Sequence, residues 1–295
     1  MSHRDTRPRP GPDFICIGAQ KAGTGWLYEQ LRGHDDFWMP PMKELHYFDR
    51  VAGEQEAGSR SLPYAREHRD RIDIARDRAR DQRDRDFLTL FARVMQRPSE
   101  NLDQYVQLFV PKGDLLAGDI TPGYSTLSAD TAKRIVSQLP ATQILFIARD
   151  PVERAWSQLS MYVRRRLIEP FDAADADALA QHLARPEIAA RSYPSQIVRR
   201  WRNAIEPKRF TLYFFDHLQD DPGQFRARIV SGLGGDPEKP SGSLSPGFNA
   251  KAEKPKLSLS AQGRSNLARF FRSELEACAR ELGGPAETWP SRYRQ

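Results

Sequence analysis

The stretch Asp13-Phe14-Ile15-Cys16-Ile17-Gly18-Ala19-Gln20-Lys21-Ala22-Gly23-Thr24-Gly25-Trp26-Leu27 decides the fold. Residues 13–18 form a short apolar run that ends in glycine, the pattern of a strand buried on both faces of a parallel sheet. A glycine-rich turn follows. A helical pattern then runs to Arg32, with Trp26, Leu27 and Leu31 on one side. Strand, glycine turn and helix open a βαβ unit. Working outward, similar apolar runs stand at 115–120 (LLAGDI), 143–148 (QILFIA) and 209–215 (RFTLYFF). Helical patterns lie between or after them at 128–138, 151–167, 194–205 and 221–233, with a final helix at 260–282. This alternation predicts an α/β fold, a mostly parallel sheet covered by helices.

The whole-chain numbers narrow the reading. A chain of 295 residues fits one large domain or two small ones, and needs no disulfide or structural metal to hold a core. Cys16 and Cys278 are too few for a disulfide framework or a four-ligand zinc site. Mean hydropathy is −0.67, and no apolar run reaches the roughly 18–20 residues of a membrane span. Residues 1–12 read as a flexible leader, with Arg4, Arg7 and Arg9 among prolines and no apolar centre of a signal peptide. The expected address is a reducing cytoplasm. Lys and Arg total 45 against 39 Asp and Glu, a net charge of +6. Of the basic residues nine are Lys and 36 are Arg, the better bidentate partner of phosphate and sulfate. The surplus suggests an anionic ligand without identifying one.

Residues 13–295 are expected to form one domain, with a charged, mainly helical insertion at about 50–110. Within it, residues 58–86 carry a dense Arg/Asp mixture that reads as a solvated, salt-bridge-laced helix or mobile insertion. A basic face gripping an acidic acceptor is the sharper reading, which the interleaved Asp residues weaken. Residues 234–256 have loop composition.

The turn 18–25 sits where a phosphate-binding loop belongs, since successive backbone N–H groups and a helix N-terminus make an anion site. A nucleoside-triphosphate loop reads G-x-x-x-x-G-K-[ST]. Gly18 and Gly23 have that spacing, but Thr24 follows Gly23, and the loop's lysine is Lys21. Kinase or ATPase chemistry is thereby disfavoured. A second segment supports the anion reading. Arg149 stands at the C-terminal end of the 143–148 strand, the edge where open α/β sheets bind ligands, and Ser157 follows about two helical turns on. An Arg fork and a helix hydroxyl there can converge on one phosphate. Alternatively Arg149 makes a surface ion pair and Ser157 faces solvent.

Together GAQKAGTGWL and IARDPVERAWSQ resemble the 5′-phosphosulfate loop and 3′-phosphate motif of the sulfotransferases that use 3′-phosphoadenosine 5′-phosphosulfate (PAPS). The resemblance runs from about residue 13 to 260 and implies a P-loop-type parallel sheet flanked by helices on both faces, in a single domain. It implies a cofactor site of Lys21, Ala22, Gly23, Thr24, Gly25, Trp26, Arg149 and Ser157. Arg191-Ser192-Tyr193 resembles a stretch near the nucleotide, which adds Tyr193. The loop 248–254 resembles one that closes over the cofactor phosphates, which adds Lys251 and Lys254, although a solvated loop is an equal reading. Trp26 either packs on adenine or anchors the first helix, and the core role is favoured. No metal is implied.

The segment Pro41-Met42-Lys43-Glu44-Leu45-His46-Tyr47-Phe48-Asp49 resembles the Lys-Glu-x-His-Phe-Phe-Asp stretch of the glycan-modifying branch, notably the heparan sulfate sulfotransferases. By that match Glu44 is the catalytic base, Lys21 stabilises the leaving phosphate, and Lys43, His46 and Asp49 lie close by as supports or acceptor contacts. The alternative places the base at His46. Gly118-Asp119-Ile120-Thr121-Pro122-Gly123-Tyr124 resembles the family's Glu-Lys-[Ser/Thr]-Pro-x-Tyr stretch beside the acceptor cleft, with Ile120 where the family has lysine. Tyr124 is then an acceptor contact or a core aromatic. The implied reaction transfers a sulfuryl group to a hydroxyl or amine of a carbohydrate or small metabolite. The rivals are a P-loop kinase or NTPase, and a non-catalytic polyanion binder. Zinc-finger, helix-turn-helix and aromatic-basic RNA signatures are missing from the sequence, so no nucleic-acid partner is expected.

Overall fold

The computed structural model describes residues 10–52, 64–240 and 258–293, without the side chains of 64–69. The chain opens with β1 (Phe14–Gly18), every residue of it buried, and α1 (Thr24–Arg32). Helices α2 (Tyr47–Val51), α3 (Tyr64–Asp77), α4 (Gln82–Val94) and α5 (Asp103–Gln107) follow. Then come β2 (Gly118–Ile120), α6 (Ala129–Gln138), β3 (Gln143–Ala148) and α7 (Pro151–Arg164). Helices α8 (Ala176–Leu183), α9 (Pro186–Ala189) and α10 (Pro194–Arg202) lead to β4 (Phe210–Phe214), α11 (Phe215–Asp220) and α12 (Pro222–Leu233). The described chain ends with α13 (Ala261–Phe270), α14 (Arg272–Leu282) and two short 3₁₀ turns to Tyr293.

The four strands form one parallel sheet in the order β2-β1-β3-β4, flanked by helices in a single α/β domain. Phe14, Ile15, Cys16 and Ile17 have no exposed surface, because β1 is central and covered on both faces. The expected four strands and five of the expected helices are present. β2 is shorter than LLAGDI suggests: Leu116 leaves the ladder to bridge Phe37, and only 118–120 pair with β1. The single helix expected at 260–282 is two, divided at Phe271, which is buried.

The described part of the insertion, residues 64–110, is mainly helical and not simply solvated. Ile72, Ala75, Phe87, Leu88 and Phe91 of α3 and α4 join the main core. Asp84 is fully buried and accepts from Trp38 Nε1 at 3.0 Å and Arg80 Nε at 3.0 Å. A buried carboxylate is tolerated only when its charge and hydrogen bonds are met in this way. Among the described residues no helix is long and apolar enough to cross a membrane.

Candidate active site

Parallel strands that start at one edge of a sheet end at the other, so the segments leaving their C-terminal ends meet there. β1 delivers the glycine turn, β2 ends at Ile120, and β3 ends at Ala148, one residue before Arg149. Lys21 and Gly23 both take left-handed backbone conformations, with φ of 72° and 82°. Such turns gather backbone N–H groups into one concavity. Gly23 also needs its bare Cα, because a Cβ there would lie 2.5 Å from Leu218 Cδ2. It caps α1 without any side-chain hydrogen bond, and the N-terminus of such a helix is a site suited to an anion.

Lys21 sits among arginines, whereas Arg149 also faces Glu153, Asp150 and Asp216. Arg149 donates to the Lys21 carbonyl and lies over the Phe215 ring at 4.4 Å. Burial brings the Lys21 ammonium down to about 8, helped by Arg164, Arg149, Arg165 and Arg154. Arg154 is fully buried on α7, held by Gln158 Oε1 at 2.8 Å and Ser192 Oγ at 2.6 Å, and its Nε has no partner among the described residues. Burial lowers it to about 9. A turn that sets Lys21 among four arginines, with no carboxylate acting on it among the described residues, is short of negative charge there. It fits a polyanionic group.

The structure brings Ala22, Thr24 and Gly25 into this turn with Lys21 and Gly23. Ser157 is half-buried on α7, and Tyr193 caps α10 with its ring edge-on to Phe271 at 6.2 Å. Trp26 is buried against Phe225, in the core position. Lys251 and Lys254 lie outside the described residues.

The second half of the site is the loop before α2. Glu44 Oε1 accepts from Lys43 Nζ at 2.7 Å, and Glu44 Oε2 lies 3.5 Å from His46 Nε2. His46 Nδ1 bonds Asp49 Oδ2 on the other side. Burial opposes charge on both groups, but each is overruled. Lys43 and His46 hold the Glu44 carboxyl well below its ordinary range, and Asp49 with Glu44 raises His46 to about 9. The Glu44 side chain keeps 38% of its surface exposed, so it is reachable from solvent. Asp49 is nearly enclosed.

This loop is held from behind. The Glu44 N–H donates to the Ile120 carbonyl at 3.2 Å, at the end of β2. The Ile120 side chain itself is buried, so its backbone rather than a cationic group serves the loop. Tyr124 has no exposed surface; its hydroxyl accepts from the Tyr47 N–H at 3.0 Å and donates to Asp119 at 2.8 Å. Tyr105 and Thr121 also donate to Asp119. Tyr124 thus supports the loop from the core instead of lining a cleft. Gly123 permits the close approach, since a Cβ there would stand 2.9 Å from Asp49 Oδ2.

Sequence reasoning passed over Arg154, although a signal existed. It falls on the apolar face of α7 beside Val152, Ala155 and Leu159, where an unaccompanied charge is out of place. Arg164, Arg165 and the Asp119 network carry no such local mark. Among the described residues no group of three His, Cys, Asp or Glu side chains is arranged to hold a metal ion.

Two solved structures share the architecture. A sulfotransferase from Alicyclobacillus acidocaldarius superposes with a TM-score of 0.63 at 22% identity, covering 94% of this chain and 98% of its own. The sulfotransferase domain from the curacin biosynthetic pathway gives 0.53 at 15% identity, covering 97% of each chain. No curated protein matches the sequence. The model of the Sulfotransferase family matches residues 12–237, which span the glycine turn, the Glu44 loop, Arg149 and α7, and the chain therefore belongs to the sulfotransferase family.

Proposed function

We propose that this enzyme moves a sulfuryl group from PAPS to a hydroxyl, or an amine, of a carbohydrate or small-molecule acceptor. The observation that carries the reading is the convergence of Lys21, Arg149 and the Glu44 loop at the ends of three adjacent strands, tied by Arg149 to the Lys21 carbonyl and by Glu44 N–H to the Ile120 carbonyl. PAPS, when bound, supplies a sulfuryl group on a good leaving phosphate. Lys21, the turn N–H groups, Arg149 and Ser157 hold its phosphates. Glu44 takes the proton of the acceptor as the acceptor oxygen or nitrogen bonds to sulfur, while the bond from sulfur to the bridging oxygen breaks. Lys21 meets the charge that develops on that oxygen.

The electrostatics favour Glu44 over His46 as base. With its acidity near 9, His46 is protonated at neutral pH, so both ring nitrogens donate and neither can accept a proton. Glu44 is ionised and flanked by two cations that orient it. The kinase reading is disfavoured by Thr24 where a triphosphate loop has lysine. Cys16 and Cys278, both buried and unpaired, support a cytoplasmic address.

Calorimetric titration with 3′-phosphoadenosine 5′-phosphate, beside ATP, tests the nucleotide site. The bisphosphate is expected to bind, and Lys21→Ala or Arg149→Ala to weaken it about 10–100-fold. Tight ATP binding with none of the bisphosphate overturns the assignment. Transfer from labelled PAPS to a panel of sugars, glycans, phenols and amines then tests the reaction. Glu44→Gln should keep nucleotide affinity and lose about 100-fold or more in turnover. Survival of turnover there, with loss in His46→Ala, moves the base to His46.

A further inference from the structure

The Glu44 loop has an awkward backbone. Glu44 and His46 both take left-handed conformations, with φ of 62° and 54°, although neither is glycine. Each costs about 1 kcal/mol or more and persists only when the surroundings fix it. Beside Ile120 and Tyr124, fixing groups come from the insertion whose Arg/Asp composition read most simply as a solvated face. Arg71, half-buried on α3, sends one guanidinium nitrogen to two successive carbonyls, those of Lys43 and Glu44, the latter at 2.7 Å. Arg80, between α3 and α4, donates to the Arg32 carbonyl at 3.0 Å and the Met39 carbonyl at 3.3 Å. Asp84 receives Trp38, and Arg32 reaches back to the Arg78 carbonyl at 3.2 Å. The insertion is thus fastened along the whole segment from Arg32 to Glu44. Among the described residues no carboxylate pairs with Arg71.

We infer that Arg71 is a positioning residue: it pins the Lys43–Glu44 peptide in the left-handed turn that aims the Glu44 carboxylate at Lys43 and His46, and the α3–α4 pair is the frame that carries it. This rests on the reading of Glu44 as base. Arginine suits the task because its guanidinium stays charged and its terminal nitrogen carries two N–H donors, one for each carbonyl. Freed from Arg71, the Lys43–Glu44 peptide relaxes toward ordinary backbone angles, and Glu44 leaves His46 Nε2. Asp49 stays on Nδ1, and Asp119 also acts on the ring.

The test reads His46 directly, by histidine-labelled NMR titration of the full chain, with the resonance assigned by its loss in His46→Asn. In Arg71→Ala the His46 midpoint should fall by about one unit, matching the fall in Glu44→Gln, because both remove the carboxylate from Nε2. Turnover of labelled PAPS with a pooled panel of sugars, phenols and amines should fall about 10–100-fold at unchanged affinity for 3′-phosphoadenosine 5′-phosphate. Arg71→Lys, which keeps a charged nitrogen donor on a differently shaped side chain, should recover part of both. A wild-type His46 midpoint in Arg71→Ala overturns the inference. If Arg71→Ala does not fold, a wild-type midpoint in Arg71→Met, which fills the space without a donor, overturns it equally. Full turnover in Glu44→Gln refutes the base assignment instead, and the NMR shift still reports whether Arg71 holds the loop.

Discussion

Lys21, Glu44 and His46 carry unusual acidities, and their directions give the enzyme a distinctive pH response. Glu44 is held ionised far below neutrality, so no acid limb should arise from it above the ordinary carboxylate range. Lys21 is lowered to about 8, so the free enzyme loses that charge as pH rises through 8. We predict that kcat/KM for PAPS declines above about pH 8. A rate that instead climbs through pH 9 would mean that neutral His46 is the base. Stability responds differently. His46 is raised above its ordinary 6.5 to about 9, so its ion pairs contribute fully below pH 6.5 and fade as pH rises through 9. Urea denaturation midpoints at pH 6.5 and 9.5 should show this loss in the wild type and a smaller one in His46→Asn. At this scale the sequence was informative where a motif was long. Lys21, Arg149 and Glu44 were singled out from runs of seven or more residues. Arg71 was not, because what it binds is backbone, and a carbonyl leaves no trace in the identity of residues 43 and 44.

Elements were legible in proportion to how locally they are determined. The strand–turn–helix at 13–32 is decided by its own residues: apolar run, glycines, helical stripe. Gly23 shows how tightly. A Gly23→Ala change forces a left-handed alanine and drives its Cβ into Leu218, and should cost at least about 2 kcal/mol. Urea denaturation measures that loss, and calorimetry with the bisphosphate should show weakened binding beside it. A wild-type melt with full affinity would mean that the turn tolerates a side chain. The α3–α4 pair was legible as helix but not as frame. Its arginines pair with carbonyls about 30 to 50 positions away, and composition alone cannot separate such a use from solvation. The division of 260–282 at Phe271 was likewise hidden, because the apolar spacing continues across the break and tertiary packing decides it.

On the scale of the molecule, the matched family region stops at residue 237, yet the described C-terminal turns are stitched into the site's support. Trp289 is fully buried, donates to Asp216 at 3.2 Å and meets Phe214 of β4 edge-on. Tyr293 donates to Asp150, the residue that caps α7, at 2.8 Å. Trp289→Ala should destabilise the fold by about 3–5 kcal/mol in chemical denaturation. A loss below 1 kcal/mol would mean that these turns are ornament to the domain.

The sheet order also has a consequence for how the chain is made. β1 is central, but its partners β2 and β3 lie roughly a hundred residues or more later in the sequence. At ribosomal rates of about 5–20 residues per second, the apolar Phe14–Ile17 segment waits on the order of ten seconds before both neighbours exist. Loop closure over such separations is slow even in a finished chain. The strand from which the glycine turn departs is therefore made well before either of its neighbours, and the newborn protein depends on what shields it in the interval.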